Sequence, residues 1–325
     1  LAAEDNRCGV LISLVSAVAQ AYCELRELDA ELAIARRNEK TFGDTLDLFQ
    51  RRLEAGVASG LATARAEAAL AQVAAQVPTL EAQIVAKENE LSFLLGRNPG
   101  PIERGASLDE LPVPPEVPPG LPSALLERRP DLREAEQALI AANANVGVAT
   151  ANFFPAISLT GLLGGVSPDV SDLFGPGKVW SITAGLLGPL FQGGRLRSQY
   201  DVSIARWNQA RLAYEQAVIG AFGDVSSALV AKQKFAESEE QLGRQVTALL
   251  ESVRLSNLRY VSGLADYFEV LDSQQQLFPA ELALSQARRS QLVAAIRLYR
   301  VLGGGWNIAD PTWAPPTAAA ATPAP

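Results

Sequence analysis

The chain has 325 residues, enough for two ordinary domains or one body of long elements, and is 48% hydrophobic but only 6% aromatic. Its 28 basic and 36 acidic residues give a net charge of -8, so it has no basic footprint for nucleic acid. With no His in the sequence, imidazole general bases, His-dependent triads and His metal sites are excluded. What remains is a mainly α chain rich in Ala and Leu, with no catalysis, cofactor or metal expected.

From about Leu11 to Ala55 the apolar spacing is helical, and Phe42, Leu46, Phe49 and Leu53 step by four, three and four in a heptad seam. Cys8 and Cys23 lie on this helix too far apart along its axis to bridge each other, and read as packed thiols. The DNRCG around Cys8 lacks the apolar and small residues that precede an acylated lipoprotein cysteine. No apolar run approaches the roughly 18 to 20 residues of a membrane-spanning helix, so any bilayer insertion is expected through strands. Gly56 and Gly60 bracket a break, after which Val73, Val77, Leu80, Ile84 and Leu91 carry a second seam to Gly96. Residues 1–96 therefore read as an antiparallel helical hairpin with arms of roughly 50 to 65 Å, the second kinked at Pro78.

Residues 97–130 are rich in Pro and Gly and read as an extended strap. Asp131 and Glu134 form an N-cap pair for a small-residue helix over 131–152. In 153–194, Ile157, Leu159 and Leu163 alternate with Ser158 and Thr160, while Trp180, Ile182 and Leu186 alternate with Ser181 and Thr183. Two such runs of about ten residues around the loop SPDVSDLFGPG have the length and alternation of a transmembrane β-hairpin, with an ordinary soluble hairpin as the even alternative. Trp180 and Phe191 are candidate interfacial anchors, although single aromatics more often belong to a core. Residues 195–306 form a second helical hairpin: a helix from about Leu196 to Val261 with a seam at Leu242, Val246, Leu249 and Val253, the turn RYVSGLADY, and a helix ending at Leu302 before GGGW. Residues 307–325 are low-complexity and predicted to be disordered.

The two hairpins are related. Placing Arg52 on Arg259 gives an ungapped register to Gly96 on Gly303, with Gly56 on Gly263, Leu70 on Leu277 and Leu91 on Leu298. Seven of the 45 pairs are identical, and they concentrate at the turn and the terminus, where an internal repeat should show itself. Upstream, Ala21, Tyr22 and Glu24 answer Ala221, Phe222 and Asp224 in a register shifted by seven. Gly56 and Gly263 are predicted turn residues with positive φ.

Five stretches in order, LPSALLERRPDL, AANANVGVATANFFPAISLTG, LFQGGR, RYVSGLADYFEVLDSQQQL and LYRVLGGGW, resemble the outer-membrane efflux protein family of TolC-like channels, and most closely its lipoprotein branch serving RND-type multidrug pumps. The resemblance covers Leu11 to Trp306. It implies a homotrimer in which a twelve-stranded outer-membrane β-barrel, four strands per protomer, continues into a periplasmic α-barrel of coiled helical hairpins. It also implies partnership with a periplasmic adaptor protein, an inner-membrane RND-type pump and outer-membrane lipid.

The family pattern further implies a first β-hairpin, an earlier helix and an acylated N-terminal Cys upstream, so the chain is expected to be a partial sequence. Three copies of one hairpin would give six strands, fewer than the roughly eight of the smallest membrane barrels. By resemblance, the periplasmic gate falls on Phe268, Glu269 and Asp272, and adaptor docking on the tips Gly56, Val57, Ala58, Gly263, Leu264 and Ala265. Ile157, Leu159, Leu163, Trp180, Ile182 and Leu186 would face lipid. For Glu269 and Asp272 the plainer reading is a solvated helix face, and for the tip glycines plain turn geometry. Arg128, Arg129 and Asp131 read as structural, through capping and strap contacts. A periplasmic coiled-coil adaptor is the alternative function, weakened by two hairpins where adaptors usually carry one and by the absence of a lipoyl-like module.

Overall fold

A computed structural model of the chain describes residues 2–57, 59–112, 128–165 and 178–304. Ala58, strap residues 113–127, the loop between the two β runs, Trp306 and the predicted tail 307–325 lie outside the described residues. The elements are α1 (Ala2–Glu54), α2 (Gly60–Ala74), α3 (Gln76–Leu94), a 3₁₀ turn (Leu108–Glu110), α4 (Pro130–Ala151), β1 (Ala156–Gly165), β2 (Lys178–Leu187), α5 (Arg195–Val261) and α6 (Phe268–Val301). The chain divides into two compact units. One comprises the opening residues to Asp5 with Asp131–Ile219, and the other the described residues of Asn6–Pro130 and those from Gly220 onward.

In the helical unit, the predicted seams are filled as read. Phe42 and Phe49 are buried with Ala66, Ala69, Val73 and Leu80, and Leu46 and Val77 pack against them. Ala21, Leu25 and Leu91 close a second cluster with Ile84 at its edge. Each fully buried Phe or Leu removes enough apolar area from water to contribute about 1.5–3 kcal/mol. The seam fades at Leu53, which is 42% exposed, because it lies beyond the last filled position, in the turn before the tip.

α1 runs from Ala2, so the helix includes the residues ahead of Leu11, with Glu4 and Asp5 among them. At 53 residues it is about 80 Å long, more than the arm read from the sequence. It also corrects the statement that no run approaches membrane-spanning length: the helix holds an 18-residue window of mean hydropathy 1.6, of which 28% is buried. On this helix Ala21, Cys23 and Leu25 join core clusters, while Val10 and Val15 are 60% and 57% exposed. Both cysteines are free and buried, and burial, with Glu24 adding, pushes the Cys23 thiol up to about 11.

Pro78 breaks the second arm as expected. It lacks an N–H for the Ala74 carbonyl and its ring crowds that carbonyl, so the helix is interrupted at Ala75 and resumes at Gln76. Pro279 sits inside α6 without such a break.

The strap is fixed at both described ends to corresponding turns of the repeat. Arg104 bridges Asp29 on α1 and Glu88 on α3, and the Gly105 N–H donates to Tyr22 Oη at 2.9 Å. At the other end Arg129, 8% exposed, donates to the Val301 carbonyl at 3.2 Å and pairs with Asp224 at 3.4 Å, capping α6. Asp131 is not the N-cap. Pro130 already stands at the first helical position, where its missing N–H costs nothing, and the Leu132 N–H donates to Asp131 Oδ1 at 3.0 Å.

The second unit holds the β-hairpin. β1 and β2 pair antiparallel with Ile157 opposite Leu186, Leu159 opposite Ala184, Gly161 opposite Ile182 and Leu163 opposite Trp180. Side chains alternate across a strand, so this register gathers Ile157, Leu159, Leu163, Trp180, Ile182 and Leu186 on one face. Ser158, Thr160, Ser181 and Thr183 share the other face. All six apolar side chains are between 69% and 86% exposed.

The turn glycines differ in what surrounds them. Gly56 and Gly263 have φ 73° and 74° with open space where a Cβ would project, while Gly303 (φ 94°) approaches the Arg128 backbone so closely that a Cβ would lie 3.0 Å from it. Gly56→Ala and Gly263→Ala should each cost about 1–2 kcal/mol in urea unfolding, the strain of a left-handed residue alone. Gly303→Ala should cost distinctly more, and equal losses at all three positions would contradict this geometry.

Candidate functional site at the hairpin tips

Both tips are built by the same hydrogen bonds. At the first, Gly56 N donates to Leu53 O and Val57 N to Arg52 O, each at 2.9 Å. At the second, Gly263 N donates to Tyr260 O and Leu264 N to Arg259 O, again at 2.9 Å. This is the Schellman ending, in which a left-handed Gly lets two amides fold back onto the last turn. It recurs at Gly96 and Gly303, so the predicted 207-residue offset holds in the backbone at both ends of the repeat. Val57 and Leu264 project outward, 74% and 71% exposed.

Chemistry beyond the turn is not repeated. Tyr267, just before α6, is buried and its hydroxyl lies 2.8 Å from Thr45 Oγ1 on α1. Its ring meets Phe49 edge-on at 5.1 Å and Tyr260 at 4.9 Å, geometry that adds about 0.5–1.5 kcal/mol per pair beyond area burial. The Arg52 guanidinium sits 5.3 Å over the Tyr260 ring, and Arg65 sits 5.1 Å over Phe268. Phe268, half exposed, thus stacks under a cation from the other hairpin.

The predicted carboxylates stand in the first turns of α6. Glu269 accepts from Arg259 Nε at 3.0 Å across the tip, and Asp272 accepts from Gln276 Nε2 at 2.7 Å one turn on. Both residues are exposed. Sequence reasoning did not single out Tyr267 or Thr45, and it placed Arg65 and Arg259 only as register positions of the repeat. The usable signal was the repeat itself, which sets Tyr267 opposite Gly60 and Asp272 opposite Arg65. Among the described residues no cluster of acidic, His or Cys side chains could hold a metal ion.

Away from the tip, α6 is tied to α1 by a polar ladder. Glu281 takes Arg37 at 2.7 Å and Asn38 at 3.1 Å, Gln286 donates to Glu31 at 2.9 Å, and Arg289 pairs with Glu27 at 2.9 Å. Glu27 and Glu31 are both 7% exposed, and burial holds both carboxyls above their ordinary range, with Arg289 pulling the other way.

Long helical hairpins duplicated in one chain, joined to a β-ribbon with an exposed apolar face, define a class of cell-envelope protein that combines coiled-coil walls with membrane-type strands. The sequence profile of the outer membrane efflux protein matches residues 1–97 and 121–304, and the chain belongs to that family. It is 37% identical over 311 residues to the probable efflux pump outer membrane protein TtgC of Pseudomonas putida, covering 94% of this chain and 63% of that protein. With the cation efflux system protein CusC of Escherichia coli O6:H1 it shares 33% identity over 309 residues, 94% of this chain and 67% of that one. Among solved structures it is similar to the open state of the Neisseria gonorrhoeae MtrE outer membrane channel, with a TM-score of 0.83 and 33% identity, covering 94% of this chain and 69% of that one. The chain thus spans slightly under two thirds of the length of TtgC.

The buried carboxylates give the helical unit a definite pH response. A carboxyl raised by burial binds its proton more tightly in the fold than in the unfolded chain. Its contribution to stability is therefore complete below the ordinary value of 4.5 and is lost as pH rises through the raised value. Glu31→Gln removes that loss while keeping an oxygen for Gln286. Urea midpoints of variant and parent should coincide below pH 4.5, with the variant more stable at pH 8; a variant less stable at pH 8 would contradict the assignment.

Proposed function

We propose that the chain is the channel component of a tripartite efflux pump in the outer membrane, a passive conduit that moves drugs or other small molecules outward without catalysis. The observation that carries this is the β-ribbon, whose face of Ile157, Leu159, Leu163, Trp180, Ile182 and Leu186 is exposed and whose outer edges pair with nothing among the described residues. Open edges are not tolerated in lipid, so such a ribbon requires further strands to close a barrel. Three copies around one axis supply them together with strands beyond this chain, with Ile157, Leu159, Leu163, Trp180, Ile182 and Leu186 turned to lipid.

A soluble adaptor would have no use for that face, and two hairpins exceed the one that adaptors usually carry. Between α4 and α5 an open groove of about 870 Å³ has small residues, Ala138, Ala141, Ala142 and Ala149, on its α4 side and Arg195, Gln199 and Arg206 on its α5 side, where a neighbouring protomer's helix would pack. Relatives named for toluene, antibiotic and cation efflux suit a wall that accepts varied cargo while the energy comes from an inner-membrane RND-type pump.

In this reading the hairpin tips form the periplasmic mouth. Gly56, Val57 and Ala58 with Gly263, Leu264 and Ala265 dock a periplasmic adaptor, and Phe268, Glu269 and Asp272 narrow the passage. Three-fold symmetry sets three copies of each carboxylate around the axis, a ring that favours cations. In the intact gene product, Glu269→Ala with Asp272→Ala should raise single-channel conductance or weaken block by multivalent cations in planar bilayers. Unchanged conductance and block would remove these residues from the gate.

A further inference from the structure

Where the β-ribbon meets the helices, large exposed apolar side chains stand beside an arginine that pairs with no carboxylate among the described residues. The chain enters β1 from α4 through Phe153, Phe154 and Pro155, and leaves β2 toward α5 through Pro189, Leu190 and Phe191. Phe154 and Leu187 are exposed, and Leu190 and Phe191 almost completely so. The Phe153 ring meets Tyr200 edge-on at 6.4 Å, which ties this corner to α5. An open cavity of about 910 Å³ lies there, with Phe154, Pro155, Leu187 and Pro189 on its ribbon side and Gln192 and Arg195 where α5 begins.

Residues 137–165 and 179–200 contain Arg195 and Arg197 and no acidic residue, in a chain of net charge -8. Gly193 and Gly194, both with positive φ, turn the backbone so that the Arg195 N–H donates to the Gln192 carbonyl at 3.0 Å. The guanidinium then donates twice to Gln192 Oε1, at 2.8 and 3.0 Å, and once to Gln199 Oε1 at 3.4 Å. Both acceptors are neutral amides, so they orient the planar fork without cancelling its charge, and two of its five N–H groups are left for a ligand. Arg197 lies 3.6 Å from Asp201, an exposed pair worth little after screening. Elsewhere the chain treats its arginines differently: Arg104 and Arg289 each meet a carboxylate.

We infer that this corner holds an anionic phospholipid of the periplasm-facing leaflet, its phosphate on Arg195 and Arg197 and its acyl chains against Ile157, Leu186 and the exposed aromatics. The uncancelled guanidinium selects an anion, and its fork suits two phosphate oxygens. The apolar face that starts at Ile157 and Leu186 selects acyl chains, and aromatic rings favour the depth at which headgroup and chain meet. The ribbon's helix end fixes the leaflet. This rests on reading the ribbon as membrane strands.

The test titrates the intact gene product, in dodecyl maltoside micelles, with dioleoylphosphatidylglycerol or dioleoylphosphatidylcholine and counts bound lipid by native mass spectrometry. At about 0.1 M salt the anionic lipid should bind about tenfold more tightly, a preference that should shrink severalfold at about 0.5 M. Arg195→Gln with Arg197→Gln should bring the two lipids to parity. Arg211→Gln, about 24 Å further along α5, should leave the preference intact. Equal affinity in the parent protein, the result if a neighbouring protomer covers Arg195, overturns the inference. Tighter binding of lipid A than of phosphatidylglycerol, or a preference that survives the double substitution, also overturns it. If the double variant fails to fold, the parent's salt dependence decides, and a preference indifferent to salt counts against the site. A protein that conducts without lipid preference loses this site and keeps the channel reading, while one that shows the preference and never conducts keeps the site and loses the channel.

Discussion

The seating of α6 on α1 is the constraint on which the helical unit depends. Two helices more than 200 residues apart in sequence are joined by a buried hydroxyl pair at one end, a carboxylate ladder along the middle and the Cys23–Leu108–Leu292 cluster toward the other end. Ladder bonds between charged or amide groups are directional, so they fix the register of the two helices. Apolar seams alone would tolerate a slip of one heptad. The strap then locks the arrangement, since Arg104 clamps α1 to α3 and Arg129 caps α6 beside Asp224.

Duplication supplied the frame and divergence the function. The two tips share the Schellman hydrogen bonds around Gly56 and Gly263, yet the side chains placed beside them are not interchangeable. Where the first hairpin has Phe49 over Ala66, the second has Ser256 over Ser273; where the first has Gly60, the second has Tyr267. A symmetric pair of hairpins would resist or yield together. Unequal seams leave the two hairpins held by different contacts at the same level.

Much of this was legible in the sequence because periodicity survives without an alignment. The heptad positions Phe42, Phe49, Val73 and Leu80, the strands and their facing, and the Gly56 and Gly263 turns follow from spacing alone. Boundaries were harder. α1 already includes the residues ahead of Leu11, where polar Asp5, Asn6 and Arg7 hide the helical spacing, and Asp131 resembles an N-cap although Pro130 already occupies the first helical position. The hydropathy of the opening helix is hard to read because Ser13, Ser16 and Gln20 interrupt its apolar run, although its 18-residue mean still reaches 1.6. Least legible were contacts made across the fold. Nothing local marks Thr45 as the partner of Tyr267, or Arg65 as the cation above Phe268, because those pairs exist only once the first hairpin and α6 have packed.

The central claim is that this chain forms part of the wall and mouth of a water-filled conduit. Ion permeation through the intact gene product in a planar bilayer under a salt gradient tests it most directly. The account predicts stepwise conductance with a reversal potential displaced toward that of the cation, as the carboxylates of the proposed mouth would require. A bilayer that stays silent, or a reversal potential displaced toward the anion, would contradict it.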